Sequence, residues 1–137
     1  MIYRGACHCE AIGYLYETEI APVDWTMRAC ACRFCRMHGA ATTSDPAGAL
    51  ELSSRDPAQL ARYRFGLGVT DFWLCRTCGV YLGAATLDGR FGIINTHALT
   101  ERSLPLPPPR ALSYDGETAS ARTTRREQRW TPVRTVR

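Results

Sequence analysis

The chain has 137 residues, of which 45% are hydrophobic, and a formal net charge of +4. That length suits one domain with a modest core, and no apolar run approaches the ~20 residues needed to cross a bilayer. The opening Met1-Ile2-Tyr3-Arg4-Gly5 has no apolar core of a signal peptide, so a cytoplasmic protein with reduced thiols is expected.

The apolar pattern mostly has period two. Ile12, Tyr14 and Tyr16 alternate with Gly13, Leu15 and Glu17, which predicts a strand. Further strands are expected over 25–30 and 49–52. Asp56-Pro57 has the form of a helix start, with Asp56 as N-cap and Pro57 at the first helical position. Leu60 and Tyr63 would face inward from that short turn, and Gly66 and Gly68 would end it. A strand over 69–74 and its hairpin partner over 80–84 are expected next. Asp88-Gly89 signals a turn before a last strand over 91–96. Pro105, Pro107, Pro108 and Pro109 make an extended connector, and 110–137 has no clear period. The expected fold is therefore mainly β, with small antiparallel sheets and one short helix. Residues 1–104 form the metal-binding β domain; 105–137 is a Pro-rich connector and Arg-rich segment, part of that domain or docked on it.

Every basic residue is arginine, and six arginines follow Ser120 against one acid, Glu127. A nucleic-acid arm would carry interleaved aromatics, and only Trp130 is available. The segment is expected to be a solvated or docked terminus.

All seven cysteines fall into three clusters: Cys7-His8-Cys9, Cys30-Ala31-Cys32-Arg33-Phe34-Cys35 and Cys75-Arg76-Thr77-Cys78-Gly79. Such C-x-C and C-x-x-C spacings let neighbouring thiolates share one metal ion, and four thiolates close a tetrahedral zinc site. The Cys75/Cys78 pair has the form of a zinc knuckle, half a site, for which Cys7 and Cys9 are natural partners. Cys30, Cys32 and Cys35 then surround a second ion with one position left for a ligand. Two other arrangements remain open. Cys75 and Cys78 could pair with members of the triplet, or His38, three residues beyond Cys35, could close the second site and make both zincs structural. His8 would point away from a metal held by its neighbours, and His97 is expected within a strand. A dithiol redox role for Cys75 and Cys78 is disfavoured, because the flanks are strand-like and no helix starts there.

Three segments together resemble the glutathione-dependent formaldehyde-activating enzyme family, which includes centromere protein V. They are Gly5-Ala6-Cys7-His8-Cys9 with Ala11, Ile12 and Tyr14; Cys30 to Arg36 with Gly39-Ala40; and Phe72 to Gly79. Tyr114 to Glu117 and Arg129 to Pro132 resemble one branch of the family. The resemblance implies a zinc-stapled fold of small sheets, a β-tent. It implies two zinc ions, one structural at Cys7, Cys9, Cys75 and Cys78, the other open at Cys30, Cys32 and Cys35. It also implies carbon–sulfur lyase chemistry, the reversible addition of a small thiol such as glutathione to an aldehyde. Glu10 stands where many members carry glycine, and Arg33 and Phe34 replace a smaller or polar pair. Both are expected to alter the rim of a pocket at the second metal.

On this reading the triplet holds a zinc that receives the substrate thiol, and Arg28, Arg33 and Arg36 are candidates for pairing with its carboxylates. Asp71, Asp88 and His97 are candidate bases with no spacing argument behind them. The rival class is a zinc-stabilised binding module with no catalysis.

Overall fold

A computed structural model describes residues 1–134; the last three residues of the expected Arg-rich segment, 135–137, lie outside the described residues. The chain is mainly β, as expected. Strand β1 (Ile2–Ala6) forms a hairpin with β2 (Ile12–Glu17). After β3 (Arg28–Cys30), helix α1 (Arg33–His38) and β4 (Thr42–Thr43), strand β5 (Ala49–Ser54) returns to β2. Then follow β6 (Leu60–Tyr63), β7 (Thr70–Cys75), β8 (Tyr81–Thr86) and β9 (Phe91–Asn95). The chain closes with β10 (Arg110–Leu112), helix α2 (Ala119–Arg129) and β11 (Thr131–Pro132). The small sheet runs β1-β2-β5, and the large one β10-β3-β4-β9-β8-β7-β6, with β11 on β9. All pairings within these sheets are antiparallel except that of β10 with β3.

The core lies between the sheets. Tyr14, Tyr16, Leu50, Leu82 and Ile94 are almost fully buried, and each removes a large apolar area from water. The Tyr14 hydroxyl crosses the interface and donates to the Asn95 carbonyl at 2.9 Å. A Cβ at Gly5 would fall inside the Tyr14 ring, so glycine there is what lets the two strands carry that tyrosine between them.

The structure departs from the sequence expectations in five places. The strand over 25–30 shrinks to β3. Trp25 instead turns inward edge-on to Tyr3 and Tyr16, centroids 4.9 and 5.3 Å away, with its indole donating to the Ile20 carbonyl. The helix at Asp56 is a single 3-10 turn, Pro57–Gln59, although Asp56 caps it as expected by accepting from the Ala58 amide. Leu60 and Tyr63 do not face inward from a helix. They belong to β6, where pairing with β7 satisfies more backbone groups, and Tyr63 is half exposed. Helix α1 arises inside the second cysteine cluster, and the aperiodic tail contains β10, α2 and β11.

Candidate metal and substrate site

Backbone turns at the strand ends place the cysteines. Cys7 follows β1, and the turn to β2 closes with the Cys7 amide donating to the Ile12 carbonyl at 3.0 Å. Within that turn Glu10 has φ 65°, a left-handed conformation that glycine adopts without strain. Cys75 ends β7. The Gly79 amide, φ 78°, donates back to the Cys75 carbonyl at 2.9 Å, and the Cys78 amide points at the Cys75 sulfur at 3.5 Å. The β7–β8 register shifts at Trp73/Leu74, just before this knuckle. The knuckle is pinned from outside by Gln59, which accepts from the Arg76 amide and the Thr77 hydroxyl.

These turns bring Cys7, Cys9, Cys75 and Cys78 into one group whose sulfurs all lie within 4.8 Å of one another. Sγ of Cys9 is 3.7 Å from that of Cys7 and 3.5 Å from that of Cys75. The edge of a zinc–sulfur tetrahedron is about 3.8 Å at a Zn–S distance of about 2.3 Å, whereas a disulfide is about 2.05 Å. The donor set therefore fits a tetrahedral thiolate-bound ion. Its members come from both sheets, so an ion here would tie one sheet to the other. Burial pushes the Cys78 thiol up, but bonds from the backbone near Cys9 and Val80 and from neighbouring thiols outweigh it and bring it down to about 6.

Cys30, Cys32 and Cys35 form the second group, again within 4.8 Å. Cys30 ends β3. Cys32 is the N-cap of α1, its sulfur accepting from the Cys35 amide at 3.4 Å, and Cys35 lies buried in the helix. A hydrogen bond from the Cys35 thiol draws Cys30 down to about 5 against its burial, and the same bond drives Cys35 up. A C-x-x-C pair thus does cap a helix after a strand in this chain, at Cys32/Cys35 rather than at Cys75/Cys78. The third thiol, Cys30, makes the set a metal-type triplet. His38 is exposed at the far end of α1 and is not a member; its ring lies against Phe34 and Tyr81.

A cavity of about 120 Å³ opens onto the three sulfurs. Phe65, Phe72 and Ile93 give it an apolar wall, with Tyr81 beside the cysteines. Tyr81 is buried, its hydroxyl has no hydrogen-bond partner among the described residues, and burial holds it protonated well above the ordinary tyrosine range. The lining also carries basic side chains: Arg28 from β3, with Arg122, Arg125 and Arg126 from α2.

Several expectations are corrected here. Of Arg28, Arg33 and Arg36, only Arg28 reaches the cavity; the other two are exposed on α1. Phe34 is not on the cavity rim but packs in an aromatic group with Phe65, Phe72 and Tyr81. The candidate bases lie elsewhere. Asp71 is bound by Arg64 at 2.6 Å, and Asp88 accepts from Thr86 at 2.6 Å. His97, exposed, sits in the 3-10 turn Thr96–Ala98 rather than a strand, and His8 is exposed beside its cysteines. The Arg-rich segment, expected as a solvated or docked terminus, is docked through α2, whose Arg122, Arg125 and Arg126 line the cavity. The one available signal was their spacing, since 122, 125, 126 and 129 share a helical face.

The description of the glutathione-dependent formaldehyde-activating enzyme family matches residues 2–110, four-fifths of the chain. The chain belongs to this family. Membership implies the general carbon–sulfur lyase type of role, and the two cysteine groups suit metal ions. The chain is also similar to a Rhodobacter sphaeroides protein of known crystal structure. They share 27% identity over 80% of this chain and 99% of the other, with a TM-score of 0.59. Comparison with curated proteins gives no match.

Proposed function

We propose that the protein is a zinc-dependent carbon–sulfur lyase that adds a small thiol, glutathione or a relative, reversibly to an aldehyde at Cys30, Cys32 and Cys35. A second zinc at Cys7, Cys9, Cys75 and Cys78 has a structural role. The observation that carries this reading is the cavity opening onto a group of three thiols and no fourth protein ligand, among the described residues. A closed structural site needs four ligands, whereas three leave a place for substrate.

A zinc ion at the triplet would favour the substrate thiol in its thiolate form. The remaining work falls to the chain. The cavity holds sulfur and carbonyl carbon together, converting a bimolecular encounter into a positioned one. Phe65, Phe72 and Ile93 limit water there. Tyr81, neutral and lacking a partner, donates to the aldehyde oxygen as its negative charge grows. In the addition a C–S bond forms and the carbonyl π bond opens. The thiol proton ends on the new hydroxyl, and no oxidant or reductant is consumed. The reverse reaction releases aldehyde and thiol.

The test is to follow the S-hydroxymethyl adduct of glutathione by NMR exchange spectroscopy, with zinc analysis of the same samples. Wild type should carry two zincs per chain and speed the exchange. Cys35→Ser should carry one, keep its fold and lose the acceleration. Full acceleration in Cys35→Ser would remove the triplet from the reaction.

A further inference from the structure

Helix α2 lies beyond residue 110, where the family match ends, yet it forms one wall of the cysteine cavity. Its arginines are not equivalent. Glu117 holds Arg122 and Arg125, each at 2.9 Å, and the Arg125 guanidinium also stacks on Tyr114 at 3.8 Å. Arg126 and Arg28, which also line the cavity, pair with no carboxylate among the described residues.

Arg126 is only 8% exposed, lies 4.4 Å over the Trp130 ring and donates to the Thr70 hydroxyl. Its Nε, also buried, has no hydrogen-bond partner among the described residues. Arg28 is half-buried and donates to the Ser44 hydroxyl at 2.5 Å, which passes a bond to the Arg129 carbonyl at 2.7 Å. Both guanidiniums are thus fixed in place by neutral groups. Asp115 is the one carboxylate lining the cavity; it is exposed at the rim and makes no ion pair among the described residues. A buried cation without a counter-charge is costly, and an incoming anion removes that cost. Arginine's planar fork suits a carboxylate in particular.

We infer that α2 completes an anion subsite in which Arg126 and Arg28 bind a carboxylate of the thiol substrate while its sulfur lies at Cys30, Cys32 and Cys35. This rests on the thiol reading above and narrows it: the preferred thiol carries a carboxylate, and simple uncharged thiols are poor ligands. The specificity-determining residues then lie partly on an element outside the matched family region.

The experiment is calorimetric titration of the zinc-loaded full chain with glutathione, glutathione diethyl ester and S-methylglutathione. Wild type should bind glutathione at least roughly tenfold more tightly than the diester, which keeps the thiol but masks both carboxylates. Arg28→Gln and Arg126→Gln should each cut that preference to below about threefold, without changing zinc content. Equal binding of acid and diester by wild type, or an undiminished preference in both variants, overturns the subsite. If Arg126→Gln does not fold, Arg28→Gln decides alone. S-methylglutathione separates the two claims. Binding as tight as that of glutathione, still weakened in the arginine variants, supports the subsite and removes the thiol from the cysteines. Binding of none of the three overturns both.

Discussion

The sulfur of Cys9, in the turn after β1, lies 3.5 Å from that of Cys75, the last residue of β7 in the other sheet. The four-cysteine group therefore joins elements far apart in sequence, while the triplet spans six consecutive residues, 30–35. The two groups should differ in what their loss does. Structural zinc contributes about 10–16 kcal/mol of apparent binding energy to folding, comparable with the whole stability of a small domain, about 5–15 kcal/mol. Cys78→Ser is expected to abolish cooperative thermal unfolding by circular dichroism, whereas Cys35→Ser should retain it. Equal unfolding of the two variants would contradict the division of roles.

Tyr81→Phe should separate activity from stability. The hydroxyl is buried without a partner among the described residues, so its removal takes away an unsatisfied polar group and should leave stability unchanged or raise it by about 1 kcal/mol. The same change removes the donor to the developing oxyanion and should lower kcat by about 10²-fold. Steady-state kinetics beside a urea titration checks both. A loss of stability with full activity would assign Tyr81 to packing.

Glu10→Gly tests the turn that carries Cys9. A side chain at φ 65° is strained by about 1–2 kcal/mol, partly offset because glycine adds about 0.4–1 kcal/mol of unfolded-state entropy. The Arg55 contact, 3.8 Å between exposed groups, adds little. A net gain of about 0.5–1 kcal/mol is expected in the denaturation midpoint, with both zincs retained.

The seating of α2 should depend on acid. Arg125, then Arg122, hold Glu117 down at about 2, well below its ordinary 4.5. Because the folded value is the lower one, the stabilisation is fully present above pH 4.5 and drains away as pH falls toward 2. Urea midpoints of wild type and Glu117→Gln should differ at pH 6, and the difference should narrow as pH falls below 4.5 over the range in which both proteins still unfold cooperatively. A constant difference across that range would mean that Glu117 acts through packing.

The cysteine spacings made four and three the simplest division of the seven thiols and left other partitions open; the sulfurs converge in that division among the described residues. Period-two alternation located β2 and β5 and the sequence from β7 to β9. Helix α2 escaped because its buried residue, Arg126, is polar, and its partners, Thr70 and Trp130, lie on β7 and just past the helix end. Apolar periodicity is silent on such a face. The same holds for Tyr81, which reads as one strand aromatic among several until its unpartnered hydroxyl is seen beside the cysteines. Helix α1 was hidden by its own ligands, since Cys32 takes the capping place usually filled by serine or aspartate.

The central claim is that the metal at Cys30, Cys32 and Cys35 has a coordination position for the substrate sulfur. Cadmium-113 NMR of the protein loaded at both sites, recorded with and without glutathione, tests it directly. Two resonances of equal intensity are expected, one unmoved by glutathione and one displaced toward the shift of full thiolate coordination. A single resonance, or two that both ignore the thiol, would contradict it.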